Sequence, residues 1–280
     1  MSVSPTAPLA VLALALVGVP SIVASQAQEP LRLGTVYRDL EAWSPMVRAA
    51  YTSARAATAR IGPVSRLPDP TLQLSTMNRD LPGFDLNDPL GMNQIQLMQM
   101  IPLGGRIGLS TDVARARARV EEAKVPDVVL AQRALAARQF YSIFRLDRSV
   151  DVLLETRELI RRLERVVEET YAVGRGAQAD VLRAQVEIAR MTEDILRMQA
   201  MRAAEGARLN GLLNRLATAS VARPALPRLD VSLPPADSLI ELAVAARPML
   251  RAASEQVTVA LAEERRAARE IWPDLTLGVI

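Results

Sequence analysis

Tyr171-Ala172-Val173-Gly174-Arg175-Gly176-Ala177-Gln178-Ala179-Asp180 lies between two apolar heptad runs, and its reading decides the fold. Upstream, Leu153, Thr156, Ile160, Leu163, Val167 and Thr170 are spaced 3-4-3-4-3. Downstream, Val181, Ala184, Ile188, Met191, Ile195 and Met198 repeat the same spacing. Such spacing keeps one helix face apolar, the seam of a coiled coil. Two such helices joined by a short glycine turn predict an antiparallel hairpin. Glu158, Arg161, Arg162, Arg165, Glu168 and Glu169 fall on the opposite face of the first helix, where opposite charges make a solvated surface. Gln178, Ala179 and Asp180 are candidate caps for the second helix. Gly174 to Ala179 also fits G-x-G-x-x-[GA], a dinucleotide fingerprint, but that motif needs a strand immediately before it. A charged heptad helix stands there instead, so a hairpin turn is the reading taken.

Outward from the turn, helices are expected over about 106–171 and 177–214, the first interrupted at Pro126. The stretch from Asp127 to Tyr171 alone would extend roughly 68 Å at 1.5 Å per residue. Before these helices come two candidate strands, about 71–77 and 93–101. In the first, Leu72 and Leu74 alternate with Gln73 and Ser75; in the second, Ile95 and Leu97 alternate with Gln94 and Gln96. The alternation then slips, with Met98 and Met100 flanking Gln99, which predicts a bulge or a departure from the sheet. Residues 78–92 read as a loop. A further helix starts at Pro45, with proline at the first helical position, and runs to about Ile61. Pro224, Pro227, Pro234 and Pro235 mark a linker over 222–236. The fold class is therefore mainly α: long antiparallel coiled-coil helices with a two-strand β segment.

Part of this order recurs. Pro45-Met46-Val47-Arg48-Ala49-Ala50 returns as Pro248-Met249-Leu250-Arg251-Ala252-Ala253. Leu67-Pro68-Asp69-Pro70-Thr71-Leu72 returns as Trp272-Pro273-Asp274-Leu275-Thr276-Leu277. Two matches in the same order at nearly the same offset indicate an internal repeat. The expected division is a first copy over 28–247 and the start of a second over 248–280. That second stretch holds a helix and an apolar strand start, and it reads as truncated.

The 280 residues contain no histidine and no cysteine. This excludes Ser–His–Asp and Cys–His nucleophilic machinery, and metal sites built on Cys or His. Met92, Met98 and Met100 are explained by a strand and apolar packing. No cofactor and no enzymatic activity are expected. Lys124 is the only lysine, and 34 basic against 31 acidic residues leave a net charge of +3. Arg115, Arg117 and Arg119 fall on different helix faces, so they make no nucleic-acid patch. Ala7 to Val19 is an apolar run too short to span a bilayer, followed by small residues up to Ala27. Residues 1–27 are expected to be a signal peptide, cleaved after Ala27, though no basic residue precedes the run.

The order of Pro-led helix, strand, loop, strand, long helix, turn, long helix and Pro-rich linker resembles the TolC-like outer-membrane efflux family, most closely its heavy-metal efflux branch. The residues carrying the resemblance are Leu67-Pro68-Asp69-Pro70, Gln99-Met100-Ile101-Pro102-Leu103-Gly104-Gly105-Arg106, Tyr171 and Gly174 with Asp180-Val181-Leu182 and Ala184, Leu209-Asn210 with Leu212-Leu213, and Arg247-Pro248. The resemblance implies a TolC-like half-protomer of a trimer. In that family each protomer gives four strands to a shared barrel and long helices to a periplasmic tunnel. It implies a passive export conduit of a tripartite efflux or type I secretion system, reached by a periplasmic adaptor and an inner-membrane pump. Gly174, Arg175, Gly176, Asp180, Val181 and Leu182 would form the periplasmic, adaptor-binding tip, where Asp180 could also join a network closing the entrance. Gln73, Ser75, Gln94 and Gln96 would line the barrel lumen, with the apolar face toward outer-membrane lipid. The chain departs from the pattern in having two complete strands and one hairpin, so three copies would supply six strands.

Two other readings fit some of these features. A periplasmic adaptor also has a signal and a coiled-coil hairpin, but β-rich flanks would surround it. A soluble coiled-coil scaffold needs no membrane role at all.

Overall fold

The computed structural model describes residues 29–77, 92–227 and 234–280. The expected signal peptide, most of the loop over 78–92 and the middle of the Pro-rich linker lie outside the described residues. Ten elements follow in order: α1 (Leu33–Trp43), α2 (Pro45–Ala59), α3 (Ile61–Val64), β1 (Thr71–Met77), β2 (Met92–Pro102), α4 (Arg106–Ala172), α5 (Gln178–Leu212), α6 (Ala236–Ala246), α7 (Pro248–Ala267) and β3 (Asp274–Val279).

α4 dominates the molecule. Its 67 residues make a rod of about 100 Å. The expected interruption at Pro126 does not occur; the helix runs straight through it. A proline inside a helix costs about 3 kcal/mol through the lost N–H and the ring clash. Packing on both sides outweighs that cost here. Ala116, Val120, Ala123 and Val125 are buried before the proline, and Ala136, Phe140 and Ile143 after it.

α5 returns along α4. Every seam position of α5 from Val181 to Met198 is buried or half-buried, as are those of α4 except Leu163, which is exposed. α5 ends in a glycine-type stop made without glycine. Asn214 adopts φ 55°, while the Arg215 N–H donates to the Asn210 carbonyl at 2.8 Å and the Asn214 N–H to that of Gly211 at 3.3 Å. Asparagine is among the few residues that tolerate this left-handed backbone. The buried Asn210 side chain then holds the outgoing chain by donating to the Ala219 carbonyl at 2.8 Å.

The main core forms where α1 and α2 cross the hairpin. Val36, Leu40 and Val47 are fully buried against Ala136, Phe140 and Ile143 of α4 and Leu209 and Leu213 at the end of α5. α1 has no counterpart in the sequence reading. The signal was present as Leu33, Val36 and Leu40, a 3-4 spacing too short to stand out beside the heptads. A smaller cluster, Ala116, Val120 and Val259, joins α7 to α4.

The strands form one antiparallel sheet in the order β1-β2-β3. Gln73 faces Gln96 and Ser75 faces Gln94; Leu72 faces Leu97 and Leu74 faces Ile95. Opposed residues in an antiparallel ladder share a face. The slip expected at Met98–Met100 is absent, because the ladder continues unbroken from Leu97↔Val279 to Pro102↔Asp274. Met98 and Met100 therefore share the face of Gln94 and Gln96, and Gln99 falls on the apolar face. Two backbone acceptors compensate Gln99: its amide donates to the carbonyls of Pro68 at 2.8 Å and Met100 at 3.0 Å.

Candidate functional site

Two regions hold the residues singled out from the sequence, and they lie at opposite ends of α4. At one end is the helical turn. Gly174 has φ 75°, its N–H donates to the Tyr171 carbonyl at 2.9 Å, and the Arg175 N–H donates to that of Thr170 at 3.0 Å. This is a Schellman stop, which needs a left-handed residue after the helix. Most side chains at position 174, Asn and Asp excepted, would cost roughly 1–2 kcal/mol there. Gly176 is required for a different reason: a Cβ there would lie 3.0 Å from the Tyr171 backbone nitrogen. The two glycines thus let the chain reverse tightly against α4.

Asp180 is not a cap. The residue before α5 is Ala177, in extended conformation and with no side-chain cap bond, so none of Gln178, Ala179 and Asp180 occupies the capping position. Asp180 sits in the first turn of α5, where its charge complements the positive helix end. Its carboxylate pairs with Arg183 at 3.1 Å on the surface. Val181 is half-buried at the start of the seam, whereas Leu182 is 53% exposed on the outer side. The turn therefore presents Gly174, Arg175, Gly176, Asp180 and Leu182 as one small outward surface.

At the other end is the two-faced sheet. Leu72, Leu74, Ile95 and Leu97 are 60%, 69%, 63% and 51% exposed, and Leu277 and Val279 extend this apolar face. Gln73, Ser75, Gln94 and Gln96 form the opposite face, with Met98, Met100, Thr276 and Gly278 beside them. A sheet with an uncovered apolar face of this size is an interaction surface.

Between the two ends, α4 carries the arginines set aside as a nucleic-acid patch, and the structure gives them structural roles. Arg117 pairs with Glu263 at 2.5 Å and Arg119 with Glu255 at 3.0 Å, both on α7; Arg115 pairs with Asp112 at 3.1 Å. Arg106 meets Asp274 at 2.6 Å, tying the start of α4 to the start of β3. The links of Arg106, Arg117 and Arg119 join residues more than 130 positions apart, so local sequence carries no signal for them. No group of carboxylates able to hold a metal occurs among the described residues. No described helix is long and apolar enough to cross a membrane.

The fold has counterparts among solved structures. The outer-membrane channel OprN superposes with a TM-score of 0.67 at 21% identity, over 88% of this chain and 57% of that one. VceC of Vibrio cholerae, an outer membrane protein, gives 0.65 at 17% identity, over 88% and 61%. The CmeC outer membrane channel of Campylobacter jejuni gives 0.66 at 16%, over 88% and 55%. This chain thus spans little more than half the length of these relatives. No curated protein matches it. The family model described as outer membrane efflux protein matches residues 36–215, from α1 through the end of α5. With that match over most of its length, the chain belongs to the outer membrane efflux protein family.

Proposed function

We propose that the chain is a channel-forming subunit of an efflux or secretion assembly in the outer membrane, a passive conduit with no catalytic step. One observation carries the reading: the sheet sorts its side chains into an exposed apolar face and a face of Gln and Ser across paired strands. A barrel wall needs this division, because one side meets lipid and the other a watery lumen. In this reading Gln73, Ser75, Gln94 and Gln96 line the lumen. The hairpin reaches into the periplasm and ends on the Gly174–Leu182 turn, which receives an adaptor coupled to an inner-membrane pump. Residues 1–27 direct export and are removed.

The wall must come from several chains, since open sheet edges in lipid leave backbone groups unpaired. β1 and β3 run parallel to each other, so joining this sheet directly to another copy would create a parallel junction. A fourth strand from a second repeat would make the ring antiparallel throughout. The proposal takes the protomer to be this repeat plus such a second one, three protomers closing the barrel.

The test is fractionation followed by planar-bilayer recording. The chain should sediment with the outer membrane, and by itself it should give no stable conductance. Recovery as a soluble periplasmic monomer would overturn the channel reading. Stable single-channel conductance from this chain alone would overturn the need for a second repeat.

A further inference from the structure

The two Pro-led helices of the repeat meet α4 through different faces. An offset of 203 carries α1–α2 onto α6–α7 and places Val36, Leu40, Val47 and Ala54 on Leu239, Ala243, Leu250 and Val257. The first four are buried and the second four exposed. α7 instead buries Val259 and Ala262 where it meets α4; these correspond to Ala56 and Ala59, which are exposed in α2. Between α2 and α7 lies a cleft of about 550 Å³, floored by α4.

Small side chains make the room: Ala56 and Ala57 on the α2 wall, Ala114 on the floor. The charged lining is Arg60, Arg117, Arg266 and Glu121. Two of these charges are matched within the molecule. Arg117 pairs with Glu263 at 2.5 Å. Glu121 pairs with Lys124 at 2.6 Å and accepts a bond from the Ser53 hydroxyl at 3.4 Å. Arg60 and Arg266 have no ion pair with any described residue, and the buried Nε–H of Arg266 meets no acceptor among them. Both stand at helix ends, Arg60 closing α2 and Arg266 in the last turn of α7, where positive charge suits the helix dipole. The dipole accounts for the charges but leaves the orphaned Nε–H unexplained, since buried donors in folded proteins are almost always bonded.

The cleft lies beside the sheet. Its lining residues Val64 and Ser110 also border a smaller cavity of about 280 Å³, whose walls include Arg66, Pro68, Pro102 and Arg106. Pro102 ends β2, and Ser110 is four residues past the start of α4, about 6 Å along the helix. We propose that the α2–α4–α7 cleft is a phosphate-binding site, with Arg60 and Arg266 holding the oxygens and the Ser110 hydroxyl donating to them. Guanidinium groups suit this ligand, because their planar N–H pairs match phosphate oxygens two at a time. The cavity far exceeds a bare phosphate ion, so an esterified phosphate fits, its substituent lying along Ala56, Ala57 and Ala114. The phosphate has two sources, the free ion and an anionic lipid headgroup, which basic pockets beside a membrane recognise. The lipid source rests on the channel reading, which puts the sheet in the membrane; the site itself rests on the cavity.

The absence of cysteine lets one introduced thiol report on the cleft. Ser110→Cys in the full chain, in uncharged detergent, is treated with two methanethiosulfonates, one bearing a sulfonate and one a quaternary ammonium. The ratio of their rates is compared with that of Ser254→Cys, an exposed site on α7 outside the cleft. The ratio cancels any change in thiol acidity near the arginines, because both reagents meet the same thiolate. The sulfonate reagent should be favoured about tenfold at position 110 relative to 254, as positive charge in a cleft concentrates anions. Adding Arg60→Gln or Arg266→Gln should remove most of that preference. Ala57→Cys, also in the lining, replaces Ser110→Cys if that variant fails to fold. Millimolar inorganic phosphate should slow the sulfonate reagent severalfold beyond sodium chloride of equal ionic strength. Lipid nanodiscs then separate the sources. Protection in phosphatidylglycerol beyond that in phosphatidylcholine assigns the lipid headgroup, and protection by the free ion alone assigns free phosphate. No preference for the sulfonate, a preference that survives both arginine variants, or protection by neither phosphate nor phosphatidylglycerol overturns the site. A soluble periplasmic monomer that keeps the preference and the phosphate protection would sink the channel reading and leave the site standing. A conducting assembly without them would do the reverse.

Discussion

α1–α2 and α6–α7 are two versions of one helical arm, and they differ in almost everything except length and break. The first arm lies across the hairpin and fills the core with Val36, Leu40 and Val47. The second meets α4 chiefly through α7, by Val259, Ala262 and two arginine–glutamate pairs. A repeated sequence conserves the shape of an element and the position of its apolar stripe. It does not conserve which neighbour covers that stripe. In this molecule α4 serves both arms, one by the stripe and one by the reverse face.

The largest test of the contrast is a pair of truncations. Phe140→Ala removes the ring over which the first arm packs and should cost about 3–5 kcal/mol in denaturant unfolding. Leu239→Ala on the second arm should change the same transition by less than about 0.5 kcal/mol, as for an exposed side chain. Equal losses would mean that α6 is packed as tightly as α1.

Val259→Ala is next in size. It removes the side chain that α7 buries between Ala116 and Val120, at a cost of about 2 kcal/mol. Amide exchange should quicken along α7 while α1 stays protected. Exchange that quickens in both arms together would show that they unfold as one unit, against the contrast drawn here.

The smallest effect is expected from Asp274→Ala. The Arg106–Asp274 pair is about one-third exposed on each side, so its loss should cost about 1 kcal/mol or less and weaken with salt. The readout is local: the β3 amides of Leu275 to Val279 should exchange faster, with β1 unchanged. A change spread evenly over all three strands would show that this pair does not anchor β3 to α4.

The elements legible from sequence were those whose causes are local. β1 follows from alternation, and the Gly174 turn from two heptads meeting at a glycine. What escaped had distant causes. Pro126 stays helical because the helices packed along α4 bury residues on both sides of it. Gln99 sits on the apolar face because Pro68, 31 residues away, accepts its hydrogen bond. Asp180 looked like a cap because it stands near a helix start, but the Schellman turn consumes the preceding residues and moves the start to Gln178. The spacing of Arg117 and Arg119 argues only against a nucleic-acid patch; their pairing with Glu263 and Glu255 needs α7 beside them.

The amino-acid sequence by itself determined the helices, the turn, the alternating strands and the repeat, since periodicity and backbone preference act within a few residues. Tertiary structure alone decided which copy of the repeat is buried, which face of α7 meets α4, and where Met98 and Met100 fall in the sheet. Those outcomes depend on which surfaces compete for one long helix, and no stretch of sequence read alone contains its competitor.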